Sequence, residues 1–422
     1  MKTNFSTKEK TALALTCLFI AIFLSPVISG DGFGYYALLE AIGKDQTLNL
    51  ENQMRFNEVG NSEFVEFNEA TERYTTPYAI GPALFSLPLY TISLFLTQFP
   101  AFHIADEFFL AERQALLLNQ LAFSLTAILF VLIALFFSLK LAKKYSGEHA
   151  WIALLAAFFG TPLLWYASAD PTYSHGFETG LMALLAYAIL KRKDARMQGI
   201  FLGFLTITRY TSGLFAIPLL LYHLLQKDYR NSAKFLVFFA PFIALLMVYF
   251  QLQFGSPISS GYAANFFPFP IHLLEMLFDL NRGILWWTPL VLVGFYGLFL
   301  MKEKEKWLLL SFPALNLIIY ACWASWHSAW AFGNRFFIMF FPLYAIGLAV
   351  LIEKKPSTKI PIAILAIYTF LLAMLFLAST PQLSDPFNLQ SLIAYWFSNG
   401  NLLEFPARLL GKTSFMRVIA LI

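Results

Sequence analysis

Residues 115–139 read ALLLNQLAFSLTAILFVLIALFFSL, 25 in a row without a charged side chain. Crossing a hydrocarbon core takes about 20 mostly apolar residues in a helix, so this run is long enough for one passage. Runs of the same kind occupy residues 11–29, 235–251, 284–301, 336–352 and 360–377. Over all 422 residues, 59% are apolar or aromatic and 13% are charged, whereas a soluble domain carries roughly 25% charged residues. A water-soluble core has no room for so many long apolar segments. The expected fold class is an all-α integral membrane bundle, with the bilayer as solvent.

Several function classes drop out early. No G-x-x-x-x-G-K-[ST] phosphate loop is present, so ATP hydrolysis by this chain is not expected. Cys17 and Cys322 stand in separate apolar stretches and offer neither a disulfide framework nor metal-ligand spacing. No nucleic acid is expected as a partner. Residues 11–29 exceed the roughly 7–15 apolar residues of a usual signal peptide, so they read as an uncleaved first span. No polar linker divides the chain. The expected layout is a transmembrane domain over 1–378, with 30–111 as a first outer loop carrying interfacial helices, and an outer-face tail over 379–422.

Charge orients the bundle, because Lys and Arg collect in cytoplasmic loops. Five short connections at 140–144, 191–196, 227–234, 302–306 and 354–359, with Lys2, Lys8 and Lys10, hold 19 of the 29 basic residues. Residues 30–77 instead carry nine acidic and three basic side chains. A cytoplasmic N-terminus therefore puts that loop outside. Keeping every basic loop inside then predicts that 78–100, with Pro82, Pro88 and Pro100, lies in or dips into the outer leaflet. It also predicts that 199–226 enters and leaves on the cytoplasmic side as two half-length helices broken around 209–213, RYTSG. Broken helices in a bilayer are tolerated only against protein or a wet cavity. The count comes to about 11 membrane helices, two of them the short broken pair.

Ionisable side chains at or near membrane depth are costly and so are candidate functional groups. Asp31 follows the first span in SGDGFGYY, residues 29–36. Its three glycines allow close backbone approach, and Tyr35 and Tyr36 offer a platform for a sugar or lipid. A carboxylate there can take a proton from a hydroxyl; a turn-forming Asp before glycine reads equally well. Three arginines form a second group: Arg209 in the helix break, Arg282 in FDLNRGILWWTP (278–289) and Arg335 closing WASWHSAWAFGNR (323–335). Their planar forks suit a phosphate or pyrophosphate. Snorkelling to the interface is the ordinary reading for each, weakest for Arg209, whose flanks are apolar. A third group is YASADPTYSH, 166–175, where Asp170, His175 and Glu178 could hold a polar substrate or a metal. His175 and Glu178, three apart, share a helix face. Tyr78 and His327 complete the candidate substrate contacts. Trp323, Trp326 and Trp330 read first as an interfacial belt, with sugar stacking as the alternative.

Taken in order, GDGFGYY (30–36), YAIGPAL (78–84), Glu112-Arg113, PTYSH (171–175), TITRY (206–210), RGILWWTP (282–289) and FGNRF (332–336) cover most of the chain. This series resembles the C-type glycosyltransferases (GT-C), the class of protein O-mannosyltransferases and of the lipid A aminoarabinose transferase, and most nearly a bacterial branch of that class. The resemblance implies a polyprenyl-phosphate-linked sugar donor in the membrane lipid, a site at the outer face of a plasma membrane (a bacterial inner membrane), and inverting displacement. The acceptor would be a glycan, a lipid or a protein. The family's base falls on Asp31; its phosphate-binding cations correspond by place to Arg209, Arg282 or Arg335. Many relatives carry a paired acidic motif where Asp31 is followed by glycine, which leaves a second carboxylate or a divalent metal open. No cofactor is otherwise implied.

The expected function is thus membrane glycosyltransfer. The rival from another class is a lipid-linked sugar flippase or secondary transporter, since transporters also build sites from broken helices. The gathering of polar residues at one face, without a visible inverted repeat, counts against it. A third reading is an inactive scaffold of an envelope-assembly complex, in which Asp31 would tolerate replacement.

Overall fold

The structure, a computed structural model, describes residues 5–54, 64–102, 117–191, 194–262, 271–327, 331–380, 388–398, 400–414 and 416. The expected features at Glu112-Arg113 and Trp330 lie outside the described residues. Helix α1 (Thr7–Phe23) is followed by α2 (Gly32–Glu40), a small antiparallel hairpin of β1 (Glu66–Asn68) and β2 (Arg73–Thr75), and α3 (Gly81–Leu96). Next come α4 (Leu117–Ser146), α5 (Ala150–Phe159), the single turn α6 (Leu163–Tyr166) and α7 (His175–Leu190). Then follow α8 (Ala195–Thr208), α9 (Ala216–Leu225) and α10 (Tyr229–Phe254). The chain continues through α11 (Leu273–Phe278), α12 (Ile284–Trp287), α13 (Leu290–Phe299) and α14 (Glu305–Ala321). It ends with α15 (Phe341–Lys354), α16 (Lys359–Ser379), α17 (Leu389–Phe397) and α18 (Asn401–Gly411).

Among the described residues, four helical segments are long and apolar enough to cross a membrane: Leu117–Phe159, Tyr229–Phe254, Arg335–Lys354 and Pro356–Ser379. Four shorter apolar helices accompany them. The apolar run 284–301 is not one helix. It divides into α12 and α13 at Thr288-Pro289, because proline disfavours helical backbone in the residue before it. Helix α15 is apolar all round and almost wholly buried, as expected of a helix at the centre of a bundle. Its Gly347 sits against Gly294 and Gly297 of α13, so closely that a Cβ at Gly297 would fall 2.0 Å from the Gly347 carbonyl oxygen. Small residues let membrane helices pack backbone to backbone in this way.

A set of polar contacts ties the basic connections together at one end of the bundle. Glu9 pairs with Lys143 at 2.7 Å, and Lys144 with Glu303 at 2.6 Å. The Tyr222 hydroxyl donates to Glu305 (3.2 Å), His223 pairs with Gln198 (2.8 Å), and Asp194 with Lys234 (3.5 Å). Lys359 lies beside Trp151 in an apolar groove between α5 and α16. These loops therefore share one side, as the charge pattern requires.

The same contacts decide the path of the broken segment. Gln198 begins α8 and His223 ends α9, so their hydrogen bond brings both ends of 195–225 together. The turn sits at Arg209, whose backbone is extended (φ −151°, ψ 111°), followed by a 3₁₀ stretch, Tyr210–Phe215. The hairpin is longer than expected. At 1.5 Å per residue, the 14 residues of α8 reach about 21 Å, more than half of a hydrocarbon core of about 30 Å. Arg209 is thereby carried to the far end of the bundle.

Candidate active site

Opposite the basic loops, the chain leaves α1 and turns at Gly30, which has a positive φ of 49°. Gly30, Gly32 and Gly34 then press the first turn of α2 against its neighbours. A Cβ at these positions would fall 1.9 Å from the Tyr173 hydroxyl, 2.4 Å from Thr172 Oγ1 and 2.0 Å from the Tyr78 ring. Only residues without side chains permit this seat, and it fixes where Asp31 points. Asp31 Oδ2 lies 3.0 Å from Arg335 Nη1, and Oδ1 accepts from the Tyr78 hydroxyl at 3.3 Å. Its side chain remains 28% exposed, so a ligand can approach the carboxylate although both oxygens have partners.

Arg335 is aimed by its own local structure. Asn334 accepts from Phe336 N (3.3 Å) and starts the 3₁₀ turn Arg335–Phe340. The guanidinium then lies over the Tyr173 ring, 5.2 Å from its centroid. Beside it, Asp170 accepts from Ser29 Oγ (2.6 Å) and Thr172 Oγ1 (3.3 Å). Burial pushes the Asp170 carboxyl up to about 7, with the negative charge of Asp31 adding to the rise and these two hydrogen bonds and Arg335 opposing it.

A second ion pair stands next to the first. Arg209 Nη1 donates to Glu178 Oε1 at 2.9 Å, and Nε donates to the Tyr320 hydroxyl at 2.6 Å. The guanidinium lies 5.2 Å from the Tyr320 ring and 5.5 Å from Phe336, which stack on each other at 3.9 Å. Ser174 donates to Glu178 as well. Tyr35 carries its hydroxyl within electrostatic reach of both pairs, of Arg209 and Glu178 and of Asp31. From Tyr35 an aromatic wall runs to Tyr78 (4.9 Å), Tyr262 (5.9 Å) and Trp323 (5.2 Å between successive centroids). The site thus combines an accessible carboxylate, two guanidinium groups and an aromatic face, a set suited to an anion joined to a sugar or other hydroxylated group.

The remaining candidates fall elsewhere. Tyr36 is buried between Tyr90 and Phe123 in the core, since successive helix positions face about 100° apart. Arg282 is fully buried, donates to Asn281 and lies over Trp287 at 4.9 Å; it acts electrostatically on Tyr166. His175 is buried behind Glu178, 3.6 Å away, between Tyr166 and Tyr173. The contact described for His327 is with Trp326. Asp170 and Glu178 turn to different partners, and among the described residues no cluster of three or more His, Cys, Asp or Glu could hold a metal. Tyr173, Tyr262 and Tyr320 were not singled out from sequence. Nothing distinguishes them there from the other tyrosines of an aromatic-rich chain.

No protein-family profile and no curated protein sequence matches the chain. Its fold does have solved counterparts. The aminoarabinose transferase ArnT from Cupriavidus metallidurans, bound to undecaprenyl phosphate, superposes with a TM-score of 0.52 at 13% identity, over 96% of this chain and 73% of that one. Its apo form gives 0.53 at 13% identity, over 96% and 72%. The oligosaccharyltransferase of Archaeoglobus fulgidus, in complex with Zn and sulfate, gives 0.50 at 12% identity, over 93% of this chain and 57% of its own length. With this architecture and its apolar helices, the protein is a multi-pass membrane protein with the fold of the GT-C glycosyltransferases.

Proposed function

We propose that the protein is a membrane glycosyltransferase that takes a sugar from a polyprenyl-phosphate donor and passes it to an acceptor hydroxyl at the outer membrane face. The observation that carries this reading is the half-open carboxylate of Asp31, seated by three glycines beside Arg335 and the aromatic wall. Capture of undecaprenyl phosphate by a protein of the same fold supports the donor class. Charge supports the outer face: the site lies at the end of the bundle opposite the basic loops, and basic loops collect in the cytoplasm.

In this mechanism Asp31 accepts the proton of the acceptor hydroxyl, whose oxygen attacks the anomeric carbon from the side opposite the phosphate. The new carbon–oxygen bond forms as the bond to phosphate oxygen breaks, with inversion. The departing phosphate keeps the electron pair, and guanidinium groups held ready for that charge lower the barrier. Tyr35, Tyr78, Tyr262 and Trp323 supply the surface on which a sugar rests. General-base action by a positioned carboxylate contributes roughly 10²–10⁴-fold.

The test is release of radiolabelled sugar by the reconstituted protein from a panel of polyprenyl-phosphate sugars, with candidate acceptors present. Asp31→Asn is expected to lower turnover by about 10²–10⁴-fold while the protein still folds. Undiminished turnover in that variant would remove Asp31 as base and redirect attention to Asp170 and Glu178. The hairpin with Arg209 at its tip favours one other reading, a lipid-linked sugar transporter. Movement of labelled lipid across vesicles without hydrolysis or transfer would select it.

A further inference from the structure

The two arginines of the site differ in how firmly they are held. Arg209 is fixed on several sides: Nη1 on Glu178, Nε on Tyr320, and its plane against Tyr320 and Phe336. Glu178 is itself only 1% exposed and also accepts from Ser174. Arg335 has a looser setting. Its ion-pair partner is the 28% exposed Asp31, and its buried Nε has no acceptor among the described residues. Asp31 in turn has both oxygens engaged, one by Arg335 and the other by Tyr78. The group assigned to take a proton and the more loosely held cation therefore occupy each other.

We infer that Arg335 is an exchangeable cation, passed from Asp31 to the phosphate of an incoming lipid, so that donor binding itself frees the carboxylate. The inference rests on the glycosyltransferase reading above. Two anions compete for one guanidinium. A phosphate offers several oxygens and suits the planar fork, including the Nε that Asp31 leaves unused. Once Arg335 swings to the phosphate, Asp31 Oδ2 is open to an acceptor hydroxyl. Arg209 stays with Glu178 and acts as a positioning residue at the hairpin tip. The device imposes an order, donor before acceptor, and keeps the base occupied while no sugar is present.

Competition has a signature that a fixed, purely structural pair does not share: removing the competing anion tightens binding. The measurement is affinity for undecaprenyl phosphate of the full-length protein in nanodiscs, with size-exclusion profile and melting temperature as folding controls. Asp31→Asn is expected to bind about two- to fivefold more tightly than wild type, the scale of one partly exposed ion pair. Asp31→Asn combined with Arg335→Gln is expected to lose that gain. Asp170→Asn, compared above pH 7 where this carboxyl is mostly ionised, removes a neighbouring charge that has no ion pair with Arg335, and is expected to tighten binding by less than Asp31→Asn. Wild-type binding with unchanged or weaker binding in Asp31→Asn would overturn the exchange and leave the glycosyltransferase reading standing. An equal gain in Asp170→Asn, or a gain that survives Arg335→Gln, would also overturn it, reducing the effect to general electrostatics. Folded wild type and variants that all fail to bind would overturn the glycosyltransferase reading and the exchange with it.

Discussion

The two ends of this bundle both carry ion pairs, yet the surroundings give the pairs different work. At the basic end, Lys144–Glu303 has both side chains about one-third exposed, while Lys143 is one-third exposed and its partner Glu9 is fully buried. Water and salt screen the Lys144–Glu303 pair, which contributes little beyond holding loops on one side. At the other end, Arg209–Glu178 is packed between aromatic rings, with the carboxylate 1% exposed. There a lost partner leaves a buried charge uncompensated. Arg335–Asp31 lies between these extremes, enclosed enough to be strong and open enough to be exchanged. Enclosure of the cation, more than charge, separates a topological tether from a functional pair.

Four substitutions test that comparison. Glu178→Ala strands Arg209 and is expected to destabilise the protein by about 3–5 kcal/mol, read as a large fall in melting temperature in nanodiscs. A loss below about 1 kcal/mol would place this pair with the exposed ones. Gly34→Ala puts a Cβ 2.0 Å from the Tyr78 ring. Overpacking of this kind costs about 1–3 kcal/mol, and it should lower turnover by moving Tyr78 off Asp31. Unaltered activity and stability would show that the glycine seat is not needed.

Asp170 gives a smaller, pH-dependent effect, since its half-buried carboxyl is pushed up to about 7 from an ordinary value of about 3.9. Between those values the folded state binds more protons than the unfolded state. This carboxyl therefore favours the fold at low pH, and its contribution is lost as pH rises towards 7. Melting temperature should fall over that interval in wild type and fall less steeply in Asp170→Asn; identical slopes would refute the assignment. Lys144→Ala, at the basic end, is expected to cost at most about 1 kcal/mol. A loss as large as that of Glu178→Ala would erase the distinction between the ends.

The sequence carried more of the scaffold than of the site. The break at Arg209 was legible because an arginine and a glycine interrupt an apolar run, and the structure has its turn there. Its length was not. The 3₁₀ stretch and the 14 residues of α8 take the tip further than half-length helices would. Asp31 and its glycines stood out as a local pattern, and the close approaches at Gly30, Gly32 and Gly34 match what glycines permit. Arg282 looked equivalent to Arg335 by residue type and membrane depth, but it is buried against Trp287 while Arg335 meets Asp31. Tyr35 and Tyr36 are adjacent in sequence, yet one faces the ion pairs and the other the core.

What the sequence by itself determined are the properties that add up along the chain: a membrane solvent, basic loops on one side, and helix breaks at proline and glycine. Each depends on composition, charge or backbone preference within a few residues. The tertiary structure alone decided which arginine meets which carboxylate. Pairing depends on how each helix is rotated about its axis and which neighbours it touches. A helix that is apolar on every side, such as α15, carries no polar stripe from which that rotation can be read. Asp31 and Arg335, far apart in the sequence, meet because packing of the bundle brings the start of α2 against the turn that precedes α15.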